Sequence, residues 1–98
     1  MKRVFAVVRR RGPAWDDSRS LEEQRNWDLH ARFMDALAAE RFVLLGGPLE
    51  GTAKVLLIIR AEDEAEIRRR LAEDPWTQSD QLRIADLRPW TLRLGQLE

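Results

Sequence analysis

Residues 26–49 limit the possible folds of this chain most, because a helical pattern there runs directly into a strand pattern. At about 100° per residue, the apolar side chains fall on one side of a helix, and the chain's single histidine, His30, falls inside that apolar arc. The apolar side chains are those of Trp27, Ala31, Phe33, Met34, Leu37 and Ala38. An imidazole among them needs a hydrogen-bond partner, which must come from another part of the chain.

Apolar runs rich in β-branched residues predict four strands. The first and third runs are apolar without alternation, which is typical of strands that are buried on both faces. The last run changes phase at Pro89, which an edge strand with a bulge permits. The predicted strands cover residues 4–8, 42–45, 55–59 and 82–94.

The first predicted helix has a start signal and a separate onset of periodicity. Ser20 and Glu23 have the spacing of a capping box, which predicts that the helix starts near Leu21. Its apolar periodicity becomes firm at Trp27, and residues 40–41 end it.

The second predicted helix begins at a cap and ends at a proline. Asp63 and Glu66 have the spacing of another capping arrangement. The helix is expected to reach about Glu73, where the following Pro75 stops it.

Gly46, Gly47 and Pro48 predict a turn between the second and third strands. Glycine permits positive φ angles and proline fixes φ, so this composition favours a turn. The same backbone could offer N–H groups to an anion, but the phosphate-loop pattern is absent. The turn is therefore the favoured interpretation.

The order β-α-β-β-α-β is the split βαβ pattern of the ferredoxin-like fold, an α+β fold with an antiparallel four-stranded sheet and two helices on one face. We expect a single domain that covers residues 1–98. In a monomer the other sheet face meets water and its strands alternate, unlike the first and third runs. We therefore predict a homodimer that packs through its sheet faces.

Composition excludes several classes of partner and site. Lysine and arginine total 17 and aspartate and glutamate total 17, so neither nucleic acid nor a membrane is expected as a partner. Cysteine is absent, which excludes disulfides, thiolate ligands and thiol nucleophiles. One histidine and no carboxylate cluster with ligand spacing predict no metal and no other cofactor. The N-terminal apolar run is too short for a signal peptide or a membrane span, which predicts a cytoplasmic protein.

Asp74 is the predicted partner of His30. Ile67 and Leu71 form an apolar stripe on the second helix, and the same period places Asp74 within about 40° of its centre. If Asp74 accepts a hydrogen bond from one ring nitrogen, the other nitrogen can serve as a general base. In the alternative interpretation, His30 is a core histidine with its hydrogen bonds satisfied, and Asp74 caps or salt-bridges the end of its helix, next to the arginines at positions 68–70.

The remaining aromatic and basic residues allow more than one role. The tryptophans at positions 15, 27, 76 and 90 fit either the walls of a pocket for a planar ligand or core and dimer contacts. For Trp27 and Trp76 both interpretations stay open. The arginine runs at positions 9–11 and 68–70 are predicted to be solvated surface.

The chain resembles the YCII-related family over nearly its whole length. The resemblance is carried by WDLHARFMDALAAERFVLLGGPL, by the strand VLLII and by RRRLAEDPWTQSDQLRIADLRPW. It implies a ferredoxin-like subunit that pairs into a dimeric α+β barrel, with His30 and Asp74 as the proposed active site and an aromatic residue, here Trp76, after Pro75. One relative of the family resembles a dehydrochlorinase of chlorinated hydroxyquinols, and the wider superfamily includes lactone isomerases and oxygenases.

These features predict a small homodimeric enzyme of the lyase or isomerase type that works without a cofactor. His30, oriented by Asp74, takes a proton from a small organic substrate. The residues expected to hold that substrate are Trp27, Gly47, Pro48 and Trp76. Two alternatives stay open: a non-catalytic ligand-binding or regulatory dimer, and a haem protein with His30 as axial ligand.

Overall fold

A computed structural model describes residues 1–97 and shows one antiparallel sheet of four strands with the strand order β2-β3-β1-β4. The strands are β1 (Arg3–Arg11), β2 (Val43–Pro48), β3 (Lys54–Ala61) and β4 (Leu82–Pro89). A 3₁₀ turn (Leu21–Glu23) precedes the helices α1 (Trp27–Ala39), α2 (Glu64–Leu71) and α3 (Pro75–Gln78). The predicted α+β class and the βαββαβ order are confirmed, with α3 as an additional short helix. No helix within the described part of the chain is long and apolar enough to cross a membrane.

The core lies between the sheet and the helices, and β1 at the sheet centre shows how it is built. Phe5, Val7 and Arg9 are buried on the helix side, whereas Val4 and the other intervening side chains are half-buried. The prediction that this strand is buried on both faces is therefore wrong for the single chain. The core between the sheet and the helices also includes Ile59 from β3, Leu37 from α1, and Ile67 and Leu71 from α2. Each fully buried aliphatic side chain contributes about 1.5–3 kcal/mol to stability.

The first helix begins later than the capping box suggested. Ser20 and Glu23 do form that box, but it leads only the 3₁₀ turn. Asn26 then has a φ of 65°, in the left-handed region, which interrupts helical geometry before α1 starts at Trp27. At the other end Arg41 has a φ of 67° and closes the helix where the sequence predicted.

The predicted turn at residues 46–48 is wrong, because these residues belong to β2. Gly46 pairs with Leu57, and Pro48 pairs with Val55. Proline is tolerated there because β2 is an edge strand, which leaves one side of its backbone without a ladder. The chain turns instead near Gly51, which has a φ of 76°.

The second helical region is divided rather than continuous. Asp63 caps α2 as predicted, with its side chain accepting the Glu66 N–H at 2.8 Å, but α2 ends at Leu71 instead of near Glu73. Pro75 does not stop a helix; it starts α3, where its missing N–H costs nothing. Asp74 is the residue that caps α3.

The irregularity in the last strand lies at a different place from the predicted one. The register of β4 against β1 shifts between Val8 and Arg9, so the bulge faces the middle of β1 and not Pro89. Pro89 is the last residue of β4, and residues 90–94 lie outside the strand. The predicted continuation of the strand to Leu94 is therefore wrong.

Gly12 fits where the end of β1 meets the start of β4. Its N–H donates to the Gln81 carbonyl at 2.9 Å. A Cβ atom on Gly12 would lie 2.2 Å from the Asp80 carbonyl oxygen, which is backbone and cannot swing aside. Only glycine therefore fits at this position without a backbone shift.

We expect Gly12→Ala to lower the free energy of unfolding by about 1–3 kcal/mol, because the added methyl group forces the two strands apart. Gly47→Ala is the matched control, since a Cβ atom at Gly47 meets nothing within 4 Å. Urea unfolding followed by tryptophan fluorescence measures both. Equal stability of the two variants would contradict the close approach at Gly12.

Candidate active site

The carboxylate of Asp74 is fully buried at the start of α3. Its Oδ1 atom accepts the backbone N–H of Trp76 at 2.9 Å, which is the N-cap bond of the helix. The same carboxylate accepts hydrogen bonds from two other elements, α1 and β1. Three separate parts of the fold therefore converge on one side chain.

From α1, His30 reaches Asp74 as the sequence predicted. The Nδ1 atom of His30 lies 2.9 Å from Oδ1 and 3.0 Å from Oδ2 of Asp74. An ionised carboxylate only accepts hydrogen bonds, so Nδ1 carries the proton and Nε2 is left with the lone pair in the neutral ring. Nε2 has no hydrogen-bond partner among the described residues. This tautomer is the one that a general base requires.

The imidazole of His30 is also held by aromatic stacking. Its ring lies parallel to that of Trp76, with the ring centroids 3.8 Å apart and an angle of 6° between the planes. Trp76 is itself fixed, because it is buried and its Nε1–H donates to the Arg25 carbonyl at 2.7 Å. Trp27 lies next to both rings: its ring centroid is 6.0 Å from that of His30 and 5.8 Å from that of Trp76. Neither the position nor the plane of the imidazole is free to change.

From β1, Arg9 completes the cluster, and the prediction that it is solvated surface is wrong. Its side chain is 2% exposed, and Nη1 donates to Oδ2 of Asp74 at 2.8 Å. Nη2 donates to the Thr77 hydroxyl at 2.7 Å. The sequence did contain a signal, because strand alternation continues the buried phase of Phe5 and Val7 through Arg9.

The charges around Asp74 favour its ionised form. Burial alone would raise the pKa of this carboxyl group. The hydrogen bond from His30, the positive charge of Arg9 and the N–H of Trp76 outweigh burial, so the pKa of Asp74 lies below its ordinary value. Asp74 is therefore a carboxylate at neutral pH.

His30 faces a cavity of about 310 Å³ between α1 and the β2–β3 side of the sheet. The predicted substrate-binding residues all line this cavity, and Asp74 lies behind His30 without lining it. These lining residues are Trp27, Gly47, Pro48 and Trp76. Residues 46–48 are the end of the edge strand β2, so this part of the cavity wall consists of backbone atoms and the ring of Pro48. Trp15, which the sequence offered as a possible pocket wall but not as a substrate-binding residue, also lines the cavity and packs edge-on to Trp76, with the ring centroids 5.2 Å apart.

Charged groups in the cavity wall are few. Besides Arg9 and His30, the charged lining residues are Arg11, Asp35 and Lys54. Within residues 1–97, no group of three histidine or carboxylate side chains is placed to hold a metal ion. The chemistry that this wall supplies is proton transfer beside aromatic surfaces.

Comparison with known proteins supports the fold at low sequence identity. No protein-family model and no curated protein sequence matches the chain. Among solved structures, it is similar to 5-chloro-2-hydroxyhydroquinone dehydrochlorinase from Burkholderia phenoliruptrix AC1100, in complex with 2,5-dihydroxybenzoquinone. The TM-score is 0.64 and the sequence identity 22%, over 94% of this chain and 95% of that chain. This likeness shows the fold, and membership of the YCII-related family stays a prediction.

We expect Asp74→Asn to lower the free energy of unfolding by about 3–5 kcal/mol at neutral pH, because it leaves the Arg9 charge buried without a counter-ion. The pKa of Asp74 is lowered in the folded state, so its stabilising contribution is complete above the unfolded value of about 3.9 and is lost as pH falls through the folded value. Urea unfolding between pH 7 and pH 3 tests both points.

Comparing wild type with Asp74→Asn separates the contribution of Asp74 to the pH dependence of stability from that of the other acidic groups. The difference in stability between wild type and Asp74→Asn should be greatest near pH 7 and should shrink as the pH falls below about 4. A difference that stays constant with pH would contradict the ionised carboxylate.

Proposed function

We propose that this chain is a cofactor-independent enzyme of the lyase or isomerase type, in which His30 removes a proton from a small organic substrate. One observation carries the proposal: Nδ1 of His30 is fixed by the buried Asp74, while the ring borders a cavity with Nε2 unpartnered among the described residues. A base with its lone pair directed by a buried carboxylate suits proton abstraction.

The chemistry that follows needs only the side chains described. Nε2 of His30 takes a proton from a hydroxyl group of a chlorinated hydroquinone, the O–H bonding pair becomes a C=O π bond, and a ring π pair takes up a proton at the carbon that bears chlorine. Loss of a second hydroxyl proton forms a second C=O bond in the same way, and the ring pair that it displaces expels chloride with its bonding pair, so that the products are a quinone and HCl. The imidazolium formed is stabilised by the charge of Asp74.

The cavity favours a planar substrate of modest size. Its volume of about 310 Å³ lies at the small end of the roughly 300–1,000 Å³ typical of ligand sites. Trp27 and Trp76 line the cavity beside His30, and Gly46, which pairs with the buried Leu57 and so faces the helices, adds no side chain that would narrow the space. The similar structure holds 2,5-dihydroxybenzoquinone, a small flat ring, which supports this choice of substrate class.

We expect the wild-type protein to release chloride from 5-chloro-2-hydroxyhydroquinone, and His30→Gln to reduce kcat by about 10²–10⁴-fold, because the general base is lost. Asp28→Asn on the exposed side of α1 is the control and should retain full activity. Chloride release measures turnover, and quenching of tryptophan fluorescence measures binding.

Two results would sink the proposal. Full activity in His30→Gln would show that another group transfers the proton. Tight binding of 2,5-dihydroxybenzoquinone without chloride release from 5-chloro-2-hydroxyhydroquinone, weakened but not abolished by His30→Gln, would instead indicate a non-catalytic ligand-binding protein.

We further propose that the active form is a homodimer that packs through the outer faces of its sheets. The outer face carries apolar side chains from three neighbouring strands, which pair across the sheet and so share a face. They are Val4, Ala6, Val8, Leu45, Leu56 and Ile58. Leu45 is 57% exposed in the single chain, and a second copy would cover it.

We expect the wild-type protein to have twice the chain mass in light scattering at micromolar concentration, and Leu56→Asp to be a monomer, because a carboxylate would be buried in the interface. Leu29→Asp is the matched control, since Leu29 is 51% exposed on α1, away from the sheet. A monomeric wild-type protein would contradict the dimer, as would a Leu56→Asp variant that remains dimeric.

A further inference from the structure

Arg9 is a buried cation next to His30 and Asp74, the two residues that the proposed mechanism uses. In the proposed mechanism a histidine and a carboxylate suffice, yet Arg9 donates to the same Asp74 that orients His30. Its burial is almost complete, and its Nε atom is the one buried side-chain polar atom in residues 1–97 without a hydrogen-bond partner. A buried arginine with an unsatisfied donor costs stability. Such a cost calls for a role beyond packing.

The role follows from the charge balance around the imidazole. A buried carboxylate next to a histidine favours the imidazolium form strongly, because the alternative is an uncompensated negative charge in the interior. A histidine held as imidazolium has no lone pair and cannot remove a proton. The Arg9 guanidinium, 2.8 Å from Oδ2, supplies a permanent counter-charge to Asp74 and removes that preference.

We propose that Arg9 is a positioning residue that neutralises Asp74, so that Asp74 orients His30 without holding it protonated. The proposal rests on the proposed function, in which neutral His30 is the base. Arg9 is bonded to Asp74 and not to His30, so it acts by its charge, and its second bond, to the Thr77 hydroxyl, fixes the guanidinium in place.

The other charged groups near His30 do not take this role. Those that line the cavity are Arg11 from β1, Asp35 from α1 and Lys54 from β3, and none of them bonds to His30 or Asp74. The guanidinium of Arg11 lies over the Trp15 ring, and its Nη1 atom is 3.8 Å from Oδ1 of Asp17. Strand β2 and helix α3 contain no charged residue. Arg9 is therefore the cation that compensates Asp74.

The test is the NMR titration of His30, the chain's single histidine, in four proteins: wild type, Arg9→Met, Asp74→Asn and the double variant. We expect the midpoint pH of His30 to rise by about one pH unit or more in Arg9→Met, which is at least a tenfold change in proton affinity. It should fall in Asp74→Asn and return close to the wild-type midpoint in the double variant, because two opposite charges are removed together.

Thr77→Val is the structural control. It removes one hydrogen bond of Arg9 without changing any charge, so the midpoint should stay at the wild-type value. Arg9→Lys keeps the positive charge, so the midpoint pH of His30 should lie closer to the wild-type value than to that of Arg9→Met. A shift in Thr77→Val as large as that in Arg9→Met would mean that displacement, not charge, moves the titration, and would overturn the proposal.

Three further outcomes keep the proposal testable, and the last two separate it from the proposed function. If Arg9→Met does not fold, the neutral double variant carries the test, and a midpoint equal to that of Asp74→Asn would overturn the role of Arg9. If turnover is present in wild type and Arg9→Met leaves both the titration and the pH–rate profile unchanged, the enzyme function stands and the role of Arg9 fails. If wild type shows no turnover and the four titrations come out as expected, the proposed function fails and the role of Arg9 in the charge balance stands.

Discussion

The buried carboxylate of Asp74 is the constraint on which the rest of this small fold depends. An ionised group with no contact to water must be satisfied by the protein, and here its donors come from β1, α1 and the first turn of α3. These donors fix the distance between the central strand and the first helix on the same side of the sheet. The carboxylate therefore determines the geometry of the structure as well as that of the candidate site.

The cavity exists because the end of the edge strand β2 carries little side-chain bulk. Gly46 pairs with the buried Leu57 and so faces the helices, where it leaves space between the sheet and α1 that a larger side chain would fill. On the opposite wall, the buried Trp76 stacks on His30, and both rings line the cavity. An imidazole held in place, an apolar wall and open space thus lie together, as the proposed proton transfer on a small ring requires.

The sequence predicted both the order of strands and helices and the contact between His30 and Asp74, but only the first prediction rested on a correct local structure. Apolar runs located all four strands, since burial dictates composition directly. The contact between His30 and Asp74 was also predicted, but from a helix that was expected to continue to Glu73. Asp74 in fact points inward as the N-cap of α3, a helix that the sequence did not predict, and not from the end of the second helix as both interpretations had assumed.

The parts that escaped prediction depend on contacts far apart in the chain. Arg9 lies in a run of three arginines, and composition favours a solvated surface there. Only pairing with Asp74, 65 residues away, makes its burial possible. The glycines and proline of β2 have the composition of a turn, and their strand conformation follows from pairing with β3 at the sheet edge. Local pattern cannot supply either fact.

The central claim is that Asp74 holds His30 with its lone pair on Nε2, and the ring ¹⁵N chemical shifts of this single histidine measure that directly. In neutral His30 we expect the proton on Nδ1 and a bare Nε2, and a mixture of the two tautomers in Asp74→Asn. A proton on Nε2 in the wild-type protein would contradict the claim, because the nitrogen that borders the cavity would then be unable to accept a proton from any substrate.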